Sequence, residues 1–142
     1  MNILRFIVPK SLVLTVSPES TVRQTLEKMR FHRYTAVPVL DSKGGYVGTV
    51  RTDDLLKYFL AEGSFDKRVA EDTAIGEIID FSCSKALLHS ANLEELIEEV
   101  KEHNFVPIVD DRGCFIGIIL RRDILNYLFT FYKKGSGGEA HI

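Results

Sequence analysis

The chain of 142 residues has no tryptophan and only two cysteines, Cys83 and Cys114. That pair fits no metal-site spacing and no redox motif, so both are expected as buried thiols in a reducing compartment. No apolar run approaches the ~20 residues of a membrane span. The opening stretch, Met1–Pro9, is apolar only briefly and has no basic lead, so a secretory signal is not expected. Charge of one sign is also missing. Lysine plus arginine total 18 against 20 aspartates plus glutamates, a net charge of −2, which gives no general affinity for nucleic acid. A hydrophobic fraction of 45% with 27% charged residues fits a cytoplasmic globular chain and not a disordered one.

Catalytic patterns are scarce as well. His32, His89, His103 and His141 show no ligand spacing and are expected at the surface. No nucleophile elbow occurs. Gly44-Gly45-Tyr46-Val47-Gly48 lies between strands with no helix after it, which excludes a phosphate loop. The run Glu94, Glu95, Glu98, Glu99 and Glu102 reads as the solvated face of a helix. Neither an enzyme nor a metal or other cofactor is expected.

What the chain does contain is an internal repeat. Val37-Pro38-Val39-Leu40-Asp41 through Val50 matches Val106-Pro107-Ile108-Val109-Asp110 through Ile119 at an offset of 69 residues, without a gap. The match continues through Asp54-Leu55-Leu56 and Asp123-Ile124-Leu125. Upstream, Val22, Leu26 and Met29 match Leu93, Ile97 and Val100 at an offset of 71, and Ser11–Leu14 can be laid on Ser84–Leu87 at 73. Each copy reads as strand, helix, strand, turn, strand, helix. Leu12–Val16 is a short apolar run that suits a buried strand. Thr21 with Gln24 forms a capping-box pattern, and Asn92 with Glu95 resembles one. Asp41–Gly45 and Asp110–Gly113 are turns, and Thr52 can cap the helix that follows. Asp72 or Thr73 can cap a short helix carrying Ile75, Ile78 and Ile79. The expected layout is a first repeat over 7–61, a connector over 62–74, a second repeat over 75–132 and a flexible tail over 133–142. One copy alone buries too little surface to be stable, so two copies share a core with a groove along the seam.

The doubled motif of hydrophobic-Pro-hydrophobic-hydrophobic-Asp, glycine turn, strand and Gly-x-x-x-x-x-Asp resembles the tandem CBS-domain pair, or Bateman module. The resemblance implies an α+β fold of two pseudo-symmetric β-α-β-β-α repeats packed as one module. It also implies a regulatory sensor whose seam clefts bind adenine nucleotides. Arg33–Asp41, Asn104–Pro107 and Gly117–Asp123 are further similar to stand-alone bacterial CBS pairs that bind cyclic di-AMP. That likeness implies a ligand site at Leu12, Val13, Leu14, Tyr34, Thr35, Ala36, Arg121, Arg122 and Asp123. AMP, ADP and ATP stand next as ligands. A weaker second cleft involves Lys85, Ala86, Asn104, Phe105, Arg51, Thr52 and Asp54. Phe105, standing where the first copy has Ala36, is expected to narrow it.

In this reading Arg121 and Arg122 together hold two phosphates at a helix start. Tyr34 stacks on a base, and Asp54 and Asp123 accept ribose hydroxyls, while Asp53 is merely solvated. The family commonly has Thr or Ser three residues before the motif aspartate. Arg51 and Leu120 stand there instead, and Leu120 cannot donate a hydrogen bond. The rival reading is an interaction scaffold with degenerate sites. The resemblance also implies a homodimer and a regulated protein partner. Phe129, Phe131 and Tyr132 are candidates for the dimer contact or for the end of the core.

Overall fold

The computed structural model describes residues 2–63, 66–81 and 85–135. Cys83, His141 and the tail beyond residue 135 lie outside the described residues. Of the two cysteines only Cys114 is described, as a free, half-buried thiol.

The first repeat begins late. Leu12–Val16 is not a strand: Lys10–Leu12 form a 3-10 turn, Leu12 is 74% exposed, and only Val16 pairs, through one parallel bridge to Val39. Helix α1, Val22–His32, starts as the sequence predicts. Thr21 Oγ1 accepts the Gln24 N–H at 3.1 Å, and Gln24 Oε1 accepts the Thr21 N–H at 2.9 Å. Val22 and Met29 are buried, but Thr25 takes the inward place expected for Leu26, which sits at the rim. Thr25 can do so because its hydroxyl donates to the Thr21 carbonyl at 3.0 Å.

Strands β2 (Ala36–Leu40) and β3 (Tyr46–Arg51) form an antiparallel hairpin. Its turn is held by Asp41, whose Oδ1 accepts the Lys43 and Gly45 N–H groups, with Gly44 at φ 83°. Helix α2, Thr52–Glu62, follows at once. Thr52 is its first residue and not its cap. The cap bond is made by the Asp54 carboxylate, which accepts the Arg51 N–H at 2.8 Å. The connector contains an unforeseen helix, α3 (Lys67–Glu71), capped by Asp66. It is followed by a 3-10 turn at Ile75–Glu77 that begins after Ala74, so neither Asp72 nor Thr73 is its cap.

The second repeat repeats the plan. Strand β4 (Leu87–Leu88) runs parallel to β5 (Phe105–Val109), with helix α4 (Leu93–Val100) between them. Strand β6 (Phe115–Leu120) pairs antiparallel with β5 and leads into helix α5 (Arg121–Gly135). Leu87 pairs with Ile108 as Val16 pairs with Val39, so the first strands align at an offset of 71 and not 73. Asn92 Oδ1 accepts the Glu95 N–H at 2.8 Å. Asp110 accepts from Cys114 and Arg112, and these backbone donors hold its carboxyl below the usual range. Phe129, Phe131 and Tyr132 are exposed and do not complete the core.

Two features join the halves. The turns meet back to back: Tyr46 N–H donates to the Gly113 carbonyl at 3.1 Å and Phe115 N–H to the Gly44 carbonyl at 2.9 Å. The flanking segments also cross over. A 3-10 turn at Ile3–Phe6 buries Ile3 in the core of the second half, and β1 (Val8–Pro9) pairs with β6. Reciprocally, Ala70, Ile75 and Ile79 are buried in the core of the first half. Fully burying one isoleucine is worth about 1.5–3 kcal/mol, so each crossing segment anchors the partner half.

Gly117 is where β1 lies closest. A Cβ there would stand 2.2 Å from the Val8 carbonyl oxygen, whereas one on Gly63 would meet nothing within 4 Å. Gly117→Ala is expected to cost about 1–3 kcal/mol by overpacking. Gly63→Ala is expected to cost only about 1 kcal/mol of backbone strain. Chemical denaturation of both variants checks the order; equal losses would mean that β1 yields without cost.

Candidate functional site

Each repeat ends a strand and begins a helix beside the seam, so the pseudo-two-fold creates two clefts. The equivalence is visible in the backbone: Thr52 N–H donates to the Thr35 carbonyl at 3.0 Å, and Arg121 N–H to the Asn104 carbonyl at 2.8 Å. Each cleft encloses about 340 Å³. Ala36 and Phe105 line both and form the wall between them. Phe105, expected to narrow the second cleft, divides the seam and leaves the two clefts equal in volume.

The first cleft is largely apolar. The N-terminal segment of the first repeat supplies Val8, Leu12, Val13 and Leu14; Tyr34 and Pro38 come from farther along the same repeat, and Ile118 and Leu120 from β6. Its one charged lining residue is Arg122, which has no hydrogen bond or ion pair among the described residues. Tyr34 is half-exposed and stacks on His32, with ring centroids 5.7 Å apart and planes at 16°.

The second cleft is polar. Thr35, Thr49, Arg51, Thr52 and Asp53 line it from the first repeat, and Glu102, His103, Asn104 and Arg121 from the second. Arg51 Nη2 lies 3.2 Å from His103 Nδ1 across the seam. A guanidinium only donates, so Nδ1 accepts and the ring is neutral with its proton on Nε2. Burial, followed by the Arg51 and Arg121 charges, holds the His103 pKa below the usual histidine value; Glu99 and Glu102 oppose this. Arg121 Nε donates to the Val100 carbonyl at 2.7 Å, which fixes its guanidinium at the end of α4.

The sequence reading of the sites is thus partly redistributed. Leu12, Val13, Leu14, Tyr34, Ala36 and Arg122 come together in the apolar cleft, while Thr35 lines the polar one. Arg121 and Arg122 face opposite clefts, because adjacent helical residues point about 100° apart. The two arginines come together only in a third hollow, beside Asn104, Leu120, Leu125 and Asn126. Asn104, Phe105, Arg51 and Thr52 line the polar cleft as expected; Lys85 and Ala86 do not, and Asp123 lines neither cleft. Asp54 is 7% exposed and committed to its cap bond, so Asp53, expected to be idle, is the acidic residue of the first repeat at the cleft. Burial raises the Asp54 pKa against the lowering effect of the Arg51 N–H. His103, expected at the surface, is the main site residue that the sequence reading missed. Its position 69 residues after Tyr34 was the available signal.

The CBS-domain family model matches residues 8–61 and 85–130. The inosine-5'-monophosphate dehydrogenase of Methanocaldococcus jannaschii is 30% identical over 114 residues, 80% of this chain and 21% of that enzyme. An uncharacterized Methanopyrus kandleri protein is 28% identical over 116 residues, 80% of this chain and 56% of the relative. The chain thus spans about a fifth of one curated relative and about half of the other. Among solved structures, Listeria monocytogenes CbpB in complex with c-di-AMP has a TM-score of 0.82 at 19% identity, covering 93% of this chain and 98% of that one. CBSX2 in complex with AMP has a TM-score of 0.71 at 26% identity, covering 92% and 98%.

The two aspartates at the start of α2 are expected to separate by function. Asp54→Ala leaves the Arg51 N–H without its acceptor and is expected to lower stability by about 1 kcal/mol, with Asp54→Asn retaining most of it. Asp53→Ala is expected to leave stability within about 0.5 kcal/mol. Thermal unfolding of the three variants checks this; a loss on Asp53→Ala matching that on Asp54→Ala would contradict the assignment.

Proposed function

The chain belongs to the CBS-domain family, and on that footing we propose that it is a non-catalytic regulatory sensor for an adenine nucleotide, cyclic di-AMP first and AMP, ADP or ATP next. The observation that carries the reading is the apolar cleft. Small Ala36 leaves room for a purine, Leu12–Leu14 add apolar lining, and the unpaired Arg122 guanidinium is available to a phosphate oxygen. Tyr34 at the mouth offers a stacking surface worth ~1–3 kcal/mol by analogy with single-strand binders. A volume of about 340 Å³ lies at the small end of the range for small-molecule sites. It suits one nucleoside phosphate within the cleft, with the second half of a cyclic dinucleotide reaching the open mouth. The c-di-AMP complex of CbpB and the AMP complex of CBSX2 support this ligand class. The similarity to the dehydrogenase covers only a fifth of that enzyme and carries no argument for catalysis here.

The proposed output is a change in partner binding. The proposed assembly is a homodimer through the outer faces of α2 and α5. Leu56 and Leu60 on α2 and their repeat equivalents Leu125 and Phe129 on α5 are all at least half exposed, which gives two matched apolar stripes.

Ligand at a hundred times its dissociation constant is expected to stabilise the protein by ~2.7 kcal/mol, roughly 5–10 °C in melting temperature. Arg122→Ala is expected to weaken a phosphate-bearing ligand about tenfold or more while leaving apo stability nearly unchanged. No shift with any adenine ligand would favour the degenerate scaffold, and a collapse of apo stability in Arg122→Ala would make that residue structural. For the assembly, Leu60→Glu with Phe129→Glu is expected to turn a dimer into a monomer by light scattering; a wild-type monomer would refute the dimer.

A further inference from the structure

The polar cleft holds a cluster that its pseudo-equivalent lacks. Arg51 and Arg121 approach it from the two repeats, and His103 stands beside them, 3.2 Å from Arg51. In the apolar cleft the positions of Arg51 and His103 are filled by Leu120 and Tyr34, so that cleft has neither the guanidinium nor the imidazole at those places. We propose that a phosphate entering the polar cleft is bound with uptake of a proton at His103, so that this cleft reads pH together with nucleotide. The inference rests on the reading of the clefts as nucleotide sites.

Without ligand, His103 must remain neutral to accept from Arg51, and protonation would replace that hydrogen bond with a repulsion between cations. The groups facing the ring come from every element packed around it. Arg51 at the end of β3 and Arg121 at the start of α5 oppose protonation, and Glu99 of α4 with Glu102 just after it favour it. Asp53, at the start of α2, also lines the cleft. An anion between the guanidiniums reverses the balance. It neutralises their field and offers an acceptor to a second ring N–H, so the imidazolium becomes the favoured form. The sign follows directly. The free protein holds His103 neutral to a lower pH than the complex does, so binding takes up a proton in the interval between and tightens as pH falls through it. Above both pKa values the effect vanishes.

The test is calorimetric titration of cyclic di-AMP and AMP at pH 7.5 and 5.5, with wild type and His103→Gln. Glutamine can accept from Arg51 but cannot titrate. Any ionisation of the ligand itself is common to both proteins and cancels in the comparison. Wild type is expected to gain about five- to tenfold in affinity over the variant between pH 7.5 and 5.5. It is also expected to take up a fraction of a proton that the variant does not, measured from buffers of different ionisation enthalpy. If His103→Gln does not fold, the His103 ring proton followed by NMR in wild type is expected to titrate at higher pH with ligand than without. Binding with the same pH dependence in both proteins, or an unmoved ring titration, would overturn the proton linkage and leave the nucleotide reading intact. Binding by neither protein at either pH would overturn that reading and the linkage with it.

Discussion

Everything in this molecule depends on two glycine turns meeting across the pseudo-two-fold. Gly44 and Gly113 sit at φ 83° and 81°, a left-handed conformation that a side chain would resist. Each frees a carbonyl for the opposite strand, and the Tyr46 and Phe115 amides close on them. Two such bonds contribute only about 1–3 kcal/mol in net terms. They set register more than they supply energy. The larger share comes from the crossing segments: Ile3 and Ile75 are both fully buried, each in the half that does not follow it in sequence. Association and alignment are therefore separate jobs, done by apolar burial and by the turn bridge.

Because the two hairpins and their helices are pseudo-symmetric, the clefts differ through exchanged side chains and through the Val8–Leu14 segment, which walls only the apolar one. Arg51 faces Leu120 across the symmetry, Thr49 faces Ile118, Asp53 faces Arg122 and His103 faces Tyr34. These exchanges turn two equivalent volumes into one apolar and one charged cleft. They also explain why the motif position usually held by Thr or Ser can change in both repeats. In the apolar cleft leucine adds wall; in the polar one arginine adds a donor. Ala36 and Phe105 belong to both, so on the proposed reading a ligand in one cleft rests on the wall of the other. Any resulting coupling is reciprocal.

The repeat, its strand–turn–strand core and the α1 capping box were legible because each depends on local chemistry that recurs at fixed spacing. Val37-Pro38-Val39-Leu40-Asp41 needs only its own turn to be recognisable. What was not legible depends on rotation and on distant chain. Arg121 and Arg122 look like one clamp in a linear string, yet one helical step sends them to different clefts. Thr52 and Asp54 compete for the same cap, and the reach of the carboxylate back to the Arg51 N–H decides it. Leu12–Leu14 have the composition of a strand but are claimed at one end by β1 pairing with β6, which leaves Val16 alone to join β2. The crossover of Ile3 left no periodic signal, because its segment is a single 3-10 turn, and the spacing of Ile75, Ile78 and Ile79 gave a helical turn without saying which half it packs against.

The route from cleft to surface is correspondingly short. The stretch Val8–Leu14 is tied to the second half at β6 and to the first half at Val16, and its middle forms one wall of the apolar cleft. A ligand there touches the one stretch of chain that spans both halves at that cleft. On the opposite side, Arg122 stands in the first turn of α5 at the apolar cleft and Asp53 in the first turn of α2 at the polar one, and the same two helices carry Leu125, Phe129, Leu56 and Leu60 outward. A tilt of either helix at its first turn is carried along a rigid rod to its apolar stripe. A ligand can bias such a tilt only by its difference in affinity for the two packings. On the proposed reading the weakly anchored elements are the natural place for a response: a single-residue bridge at Val16 gives way before the two cores that hold Met29 and Leu96 do.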